Sequence, residues 1–310
     1  MTSLSTSQTL TDWKRFAKEK LTQHGIERSE ASLEVKLIAE RQLGLSAAAQ
    51  ILYHDRALTF DERNGLNDYI DRRCQREPLA HLFGTWEFWG LPIKVSRDTL
   101  IPRADTEVLV EEAVQWLKDC SHDRREGALV LDIGAGSGCI SMAIASEHPE
   151  CRFSLLDLSE AALEIAKQGW GELVMKRALS EKTVVKFIKS DGLNALTVLA
   201  QSQLEAEEPL LIVTNPPYVK LSAKGSLLPE VSDYDPHLAL FDERADGLGT
   251  AERFISESFH MLTEGGALFM EVGFDQTEQA QEIFERVGFT QISRRFDYGG
   301  NPRVVSGVKP

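Results

Sequence analysis

Leu211-Ile212-Val213-Thr214-Asn215-Pro216-Pro217-Tyr218 is the stretch that decides how this chain is organised. Its first four residues are apolar or β-branched and read as a buried strand. Two prolines end that strand, because proline lacks the N–H that extends a sheet ladder. Asn215 then sits at the carboxyl end of a central strand, where open α/β sheets hold their ligands. The proline pair stiffens the backbone, so the Asn215 carboxamide, the Pro216 carbonyl and the Tyr218 ring keep fixed relative positions. Two fixed carbonyl oxygens match the two donors of a planar –NH2 group. An aromatic face lies against the plane that carries the nitrogen. The trio suits methylation of an amide or exocyclic amino nitrogen. Most Asn-Pro pairs are plain turns, so the chemical reading gains weight from a methyl-donor site upstream.

Around this stretch, from Ala128 onward, strands alternate with helical patterns. Strands are expected at residues 129–133, 153–157, 184–188, 210–214 and 267–272. A closing antiparallel hairpin is expected from 289 to 308 around Gly299-Gly300-Asn301-Pro302. Such alternation predicts a doubly wound α/β sheet. Gly134-Ala135-Gly136-Ser137-Gly138 follows the first strand and brings backbone N–H groups close to a ligand. Asp157 ends the second strand, where an acid accepts ribose hydroxyls. Asp191 ends the third, followed by Gly192, and adds an acceptor where an adenine amino group would lie. The glycine spacing lacks the third position of the dinucleotide fingerprint. Singly, these acids cap or solvate strand ends; together they favour an adenosyl ligand.

Residues 1–76 carry helical periodicity, with Leu10, Trp13, Phe16, Ala17 and Leu21 in the first helix and Ser29 and Glu30 opening the second. They form a small bundle whose role is to grip a macromolecular substrate. Residues 77–104 read as a linker and a β-hairpin turning at Gly90, and 105–310 as the sheet domain. Asp105 is expected to cap the helix that follows it, with Glu107 in its first turn. Arg103 stands where it can fix a carboxylate or a neighbouring loop. A length of 310 residues suits two domains, and the net charge of −14 argues against a protein that grips duplex phosphates. It favours a basic partner instead. Cys74, Cys120, Cys139 and Cys151 form no Cys-x-x-Cys pair, and the seven histidines form no ligand motif. A reduced, cytoplasmic protein without structural metal is expected, with no membrane-spanning run.

Asp132 to Gly138 (D-x-G-x-G-x-G), Asp157, Asp191 and Asn215 to Tyr218 (N-P-P-Y) resemble the S-adenosylmethionine-dependent class I amino methyltransferases. Further motifs resemble the peptide chain release factor N5-glutamine methyltransferases, the HemK or PrmC family. They are P-L-A-H-L-x-G from Pro78, E-F-W-G-L from Glu87, L-I-P-R-x-D-T-E from Leu100 and D-Y-G-x-N-x-R-V from Asp297. The resemblance implies a seven-stranded methyltransferase sheet preceded by a helical domain. Its substrate is the glutamine of the Gly-Gly-Gln loop of class 1 release factors, and its methyl donor is S-adenosylmethionine. By position, the resemblance implies that Gly134, Ala135, Gly136, Ser137, Gly138, Asp157, Asp191, Gly192 and Asn215 hold the donor. Asn215, Pro216, Pro217 and Tyr218 hold the glutamine side chain. The chain departs from the family pattern at Ala104, at Asp235-Pro236 and at Gly192, where an aromatic residue covers the adenine.

The competing readings differ in the acceptor. A ribosomal-protein glutamine is the nearest alternative. An adenine-N6 nucleic-acid methyltransferase uses a similar motif on a flipped base, but needs a basic groove that this acidic chain does not display. A non-catalytic donor-binding protein or a nicotinamide oxidoreductase has no use for Asn-Pro-Pro-Tyr.

Overall fold

In the computed structural model, which describes residues 9–196 and 208–310, helices begin where a side chain can accept the free N–H groups of a first turn. Thr9 caps α1 (Leu10–Gln23) in a reciprocal box with Asp12, and Thr59 caps α4 (Phe60–Cys74) in another with Glu62. Ser46 opens α3 (Ala47–Leu52). The expected start of the second helix at Ser29 is corrected. Glu27 accepts the N–H groups of Ser29 and Glu30, and α2 runs Arg28–Leu43 before Gly44 ends it in the left-handed region. A further helix, α5 (Leu79–Phe83), lies within the stretch expected as linker. Pro78 has the fixed φ of a helix start, and Leu79, Ala80 and Leu82 are buried.

The chain divides into two compact units, Met1–Phe83 and Gly84–Pro310. In the first, Leu10, Trp13, Ala17 and Leu21 of α1 are fully buried, as are Ile38 of α2 and Leu66 and Ile70 of α4. A charge is buried with them. Arg73 is 1 % exposed, and its Nε lies 2.9 Å from the Glu34 carboxylate.

The second unit starts with a hairpin, β1 (Thr85–Phe88) and β2 (Leu91–Lys94). Its two-residue turn, Trp89-Gly90, has positive φ at both positions, as a turn matched to strand twist requires. The helix α6 (Glu107–Asp119) and the single turn α7 (His122–Arg125) follow. The sheet is then built from β3 (Leu129–Ile133), α8 (Cys139–Glu147), β4 (Arg152–Asp157), α9 (Glu160–Met175), β5 (Val185–Lys189) and β6 (Leu211–Thr214). After the short parallel pair β7 (Val219–Lys220) and β8 (Phe241–Asp242) come α10 (Gly249–Met261), β9 (Ala267–Glu271), α11 (Thr277–Val287), β10 (Thr290–Phe296) and β11 (Pro302–Val308).

Seven strands order as β10-β11-β9-β6-β3-β4-β5. The five strands β9-β6-β3-β4-β5 are parallel, and β11 and β10 close one edge through antiparallel pairings. This is the expected seven-stranded doubly wound sheet. Leu131 and Ile133 of β3, Ile212 of β6, and Leu268 and Met270 of β9 pack with Ile255 of α10 and Phe284 of α11. The alternate residues, Asp132 and Glu271 among them, therefore face the other side. Chain order turns back between β3 and β6, so their carboxyl ends flank the topological switch point. Among the described residues, no helix is long and apolar enough to cross a membrane.

Arg73→Ala leaves the Glu34 carboxylate buried without its guanidinium. A loss of about 3–5 kcal/mol from the helical unit is expected in urea unfolding. A change under about 1 kcal/mol would show that water reaches Glu34.

Candidate active site

The loop after β3 is held against β4 through its backbone. The N–H groups of Gly134 and Ala135 both donate to the Leu156 carbonyl, at 2.8 and 3.0 Å. Asp157 accepts the Gly136 N–H on one oxygen and the Ser159 N–H on the other, each at 2.8 Å. Burial pushes its carboxyl upward, and these N–H groups pull it back. At Gly138, with φ of 76°, a Cβ would stand 2.9 Å from the Leu155 side chain. Glycine is required there because α8 begins pressed against β4. Behind the loop, the fully buried Asp132 accepts the Ser141 N–H and hydroxyl at 3.2 and 2.8 Å. Burial raises its carboxyl from 3.8 to about 7, with the Ser141 hydrogen bonds opposing.

A cavity of about 590 Å³ opens above this loop. Its volume falls within the range that small-molecule ligands occupy. Every residue expected to hold the donor, Asn215 included, lines it except Gly138, and so does Pro217. Pro216 and Tyr218 do not line it; Pro216 is buried and Tyr218 half-buried.

The far end of the cavity differs from expectation. The Asp191 carboxylate is already engaged by Arg253 of α10, at 2.6 Å. The Arg253 guanidinium lies 5.0 Å from the centre of the Phe254 ring, and both residues line the cavity. Gly192 has φ of 57°, and a Cβ there would stand 2.9 Å from the Phe254 ring and 2.5 Å from a Glu257 oxygen. The place a side chain at 192 would take is filled from α10.

On the acceptor side, β6 is locked by the Thr214 hydroxyl, which donates to the Ile133 carbonyl at 2.7 Å. Asn215 Nδ2 reaches the Thr106 hydroxyl at 3.4 Å, so its Oδ1 is the acceptor it presents elsewhere. The Tyr218 hydroxyl donates to Glu271 at 3.1 Å. Burial and the Glu271 charge hold that phenol well above its usual range. Glu271 is fully buried at the end of β9. Burial raises its carboxyl, while a Thr106 hydrogen bond, the Arg303 charge and the Tyr218 hydroxyl oppose the rise.

One expectation just before α6 is corrected, and two hold. Asp105 does not cap the helix; Ala104–Thr106 is a 3₁₀ turn, and the Asp105 carboxylate pairs with Arg303 at 3.3 Å. Arg303 also holds Asp297 at 3.2 Å, tying the C-terminal D-Y-G-x-N-x-R-V motif to the L-I-P-R-x-D-T-E segment. Glu107 accepts the Trp89 N–H at 2.8 Å, steadying the hairpin turn. Arg103 does fix a carboxylate, reaching the buried Asp235 at 2.6 Å.

Thr106, Arg253, Phe254 and Glu271 were not singled out from sequence. Glu271 carried a signal, as the one charge in the apolar run from Ala267 to Val272, because a buried charge is the exception that needs a reason. Thr106 lies within the L-I-P-R-x-D-T-E segment but its partners do not show there, and Arg253 and Phe254 carried no signal, since theirs lie far away in the chain.

Comparison with known proteins agrees with this geometry. The family model of the PrmC N-terminal domain matches residues 12–84, and that of the methyltransferase small domain matches 110–228. The release factor glutamine methyltransferase of Caulobacter vibrioides is 30% identical over 295 residues, covering 94% of each chain. That of Geobacter sulfurreducens is 33% identical over 296 residues, covering 96% of this chain and 94% of its own. The chain belongs to the release factor glutamine methyltransferase family. The Escherichia coli relative of that name is 30% identical over 284 residues, or 88% of this chain and 91% of its own. Among solved structures, the hMettl16 catalytic domain shares the fold, with a TM-score of 0.51, 17% identity, and coverage of 77% of this chain and 81% of its own.

In this member of the release factor glutamine methyltransferase family, Asp132 couples stability to pH. Its carboxyl lies at about 7 in the fold against 3.8 ordinarily, so between those values the folded state keeps a proton the unfolded chain has released. The stability this gives is complete below 3.8 and lost above about 7. Urea midpoints of Asp132→Asn should vary less across that window than those of the wild type. Identical slopes would show that Asp132 is ionised throughout.

Proposed function

We propose that this chain transfers the methyl group of S-adenosylmethionine to the side-chain amide nitrogen (N5) of the glutamine in the Gly-Gly-Gln motif of class 1 peptide chain release factors. The observation that carries the reading is that Asn215 and the glycine loop border one cavity, in a chain that matches the named relatives over most of its length. The cavity's polar groups fit the donor. Asp157 keeps lone pairs for ribose hydroxyls beyond the two N–H bonds it accepts. Phe254 offers a ring beside Gly192 for the base, and Arg253 holds Asp191.

When bound, S-adenosylmethionine supplies an electrophilic methyl group. The residues must supply orientation, because an amide nitrogen is a poor nucleophile whose lone pair is delocalised into its carbonyl. Holding it in line is worth several kcal/mol, up to about 7–11 in favourable cases. Asn215 Oδ1 and the Pro216 carbonyl accept the two N–H bonds and stabilise the positive charge that develops on nitrogen. Tyr218 lies against the amide plane, its position set by the bond to Glu271. The new C–N bond replaces the C–S bond, sulfur keeps the electron pair as S-adenosylhomocysteine leaves, and the methylated nitrogen loses a proton to water. Direct nucleic-acid binding has no part in this reading, which suits the net charge of −14. The setting is the cytoplasm, where translation terminates.

The deciding experiment uses methyl-labelled S-adenosylmethionine with intact release factor and with the same factor carrying a replaced loop glutamine. Label on the first alone establishes reaction and site; label on neither, with donor bound, sinks the substrate. Asn215→Ala should lower kcat roughly a hundredfold while calorimetry shows a much smaller loss of donor affinity. An equal loss of donor binding would contradict its role. Phe254→Ala should weaken donor binding about three- to tenfold, and undiminished affinity would place the base elsewhere.

A further inference from the structure

Several cations of the helical unit are neutralised. Arg15 pairs with Asp12, Lys20 with Asp71, Arg56 with Glu62, Arg72 with Glu77 and Arg73 with Glu34. Among the described residues Lys14, Lys18, Arg28 and Lys36 make no ion pair; Arg41 and Arg63 make none either, but stand against the Phe83 and Phe60 rings. The first four all line one groove of about 810 Å³. Lys14, Lys18 and Thr22 form a stripe along α1, and Arg28, Ser32 and Lys36 a matching stripe along α2. Each wall carries two cations outside any ion pair, α1 adds Arg15, which is paired with Asp12, and Glu19 is the only acid in the lining. Burial and the nearby Lys36 charge hold the Lys14 ammonium below its usual range. Like charges at helical spacing destabilise a helix, and a chain with 48 acidic residues has carboxylates to spare for neutralising them. Leaving this groove unneutralised is therefore a feature to be explained by a partner.

We infer that the groove between α1 and α2 binds a short acidic segment of the protein substrate. The inference rests on the release-factor reading above. Each stripe spans two helical turns, about 12 Å, which matches roughly four residues of extended chain. Carboxylates on such a segment meet two cations from either wall. A nucleic acid fits less well. No aromatic ring stands in the lining for bases to stack on, and the field of a protein of net charge −14 opposes a long polyanion.

The test uses the full-length enzyme carrying Lys14→Glu and Lys36→Glu. KM for intact release factor should rise roughly tenfold with kcat and donor affinity unchanged, and the rise of KM with salt seen in the wild type should flatten. Lys14→Arg with Lys36→Arg should keep the wild-type KM. Hexaglutamate should inhibit the wild type competitively against release factor. An unchanged KM in the charge-reversal enzyme overturns the inference. So does a fluorescent single-stranded RNA that binds the wild type and not the variant while KM stays constant. Should the reversal unfold the bundle, seen as lost far-UV ellipticity, the hexaglutamate result decides: no competition overturns the assignment. A wild-type enzyme that never labels release factor instead removes the underlying reading.

Discussion

The buried carboxylate of Glu271 is the point from which the acceptor side of the site is held. Taking a carboxylate out of water is costly unless charge and hydrogen bonds compensate it. Here Thr106, Tyr218 and the Arg303 charge do so together. These groups come from the turn before α6, the end of β6 and strand β11, which are far apart in the chain. The sheet order β6-β9-β11 makes them neighbours. Asn215 joins through Thr106 and Tyr218 directly. Both ends of Asn-Pro-Pro-Tyr are thus tied to one buried group, and the prolines between them leave little freedom.

The donor side works differently. Its loop is fixed by backbone N–H groups that donate to β4 and to Asp157, so its shape depends on main-chain conformation more than on side chains. Such a loop keeps its form as neighbouring side chains vary, whereas the acceptor side depends on named partners. The two halves meet where chain order reverses between β3 and β6. That places a backbone-built cradle beside a side-chain-built clamp.

Local signals made much of this legible. The strands ending at Ile133, Asp157 and Thr214 were readable because apolar runs stop at glycine, acid or proline, and a doubly wound sheet puts those stops on one edge. Thr9, Ser46 and Thr59 cap their helices through contacts that span only a few residues. Long-range pairings were not legible. Asp105 looks like a cap until Arg303 is brought beside it, and Glu27, rather than Ser29, caps α2 because its carboxylate accepts the Ser29 and Glu30 N–H groups ahead of it. Arg253 and Phe254 sit in an ordinary amphipathic helix. Their place at the cavity depends on how α10 lies against the end of β5.

That placement bears on how the sequence can change over time. Gly192 and Phe254 share one volume, because any side chain at 192 would stand 2.9 Å from the ring. Enlarging residue 192 while Phe254 remains creates a collision, and shrinking Phe254 first leaves a void beside Gly192. Neither single step passes through a well-packed intermediate. An aromatic ring at 254 therefore requires glycine after Asp191, and a side chain at 192 requires a smaller residue on the helix.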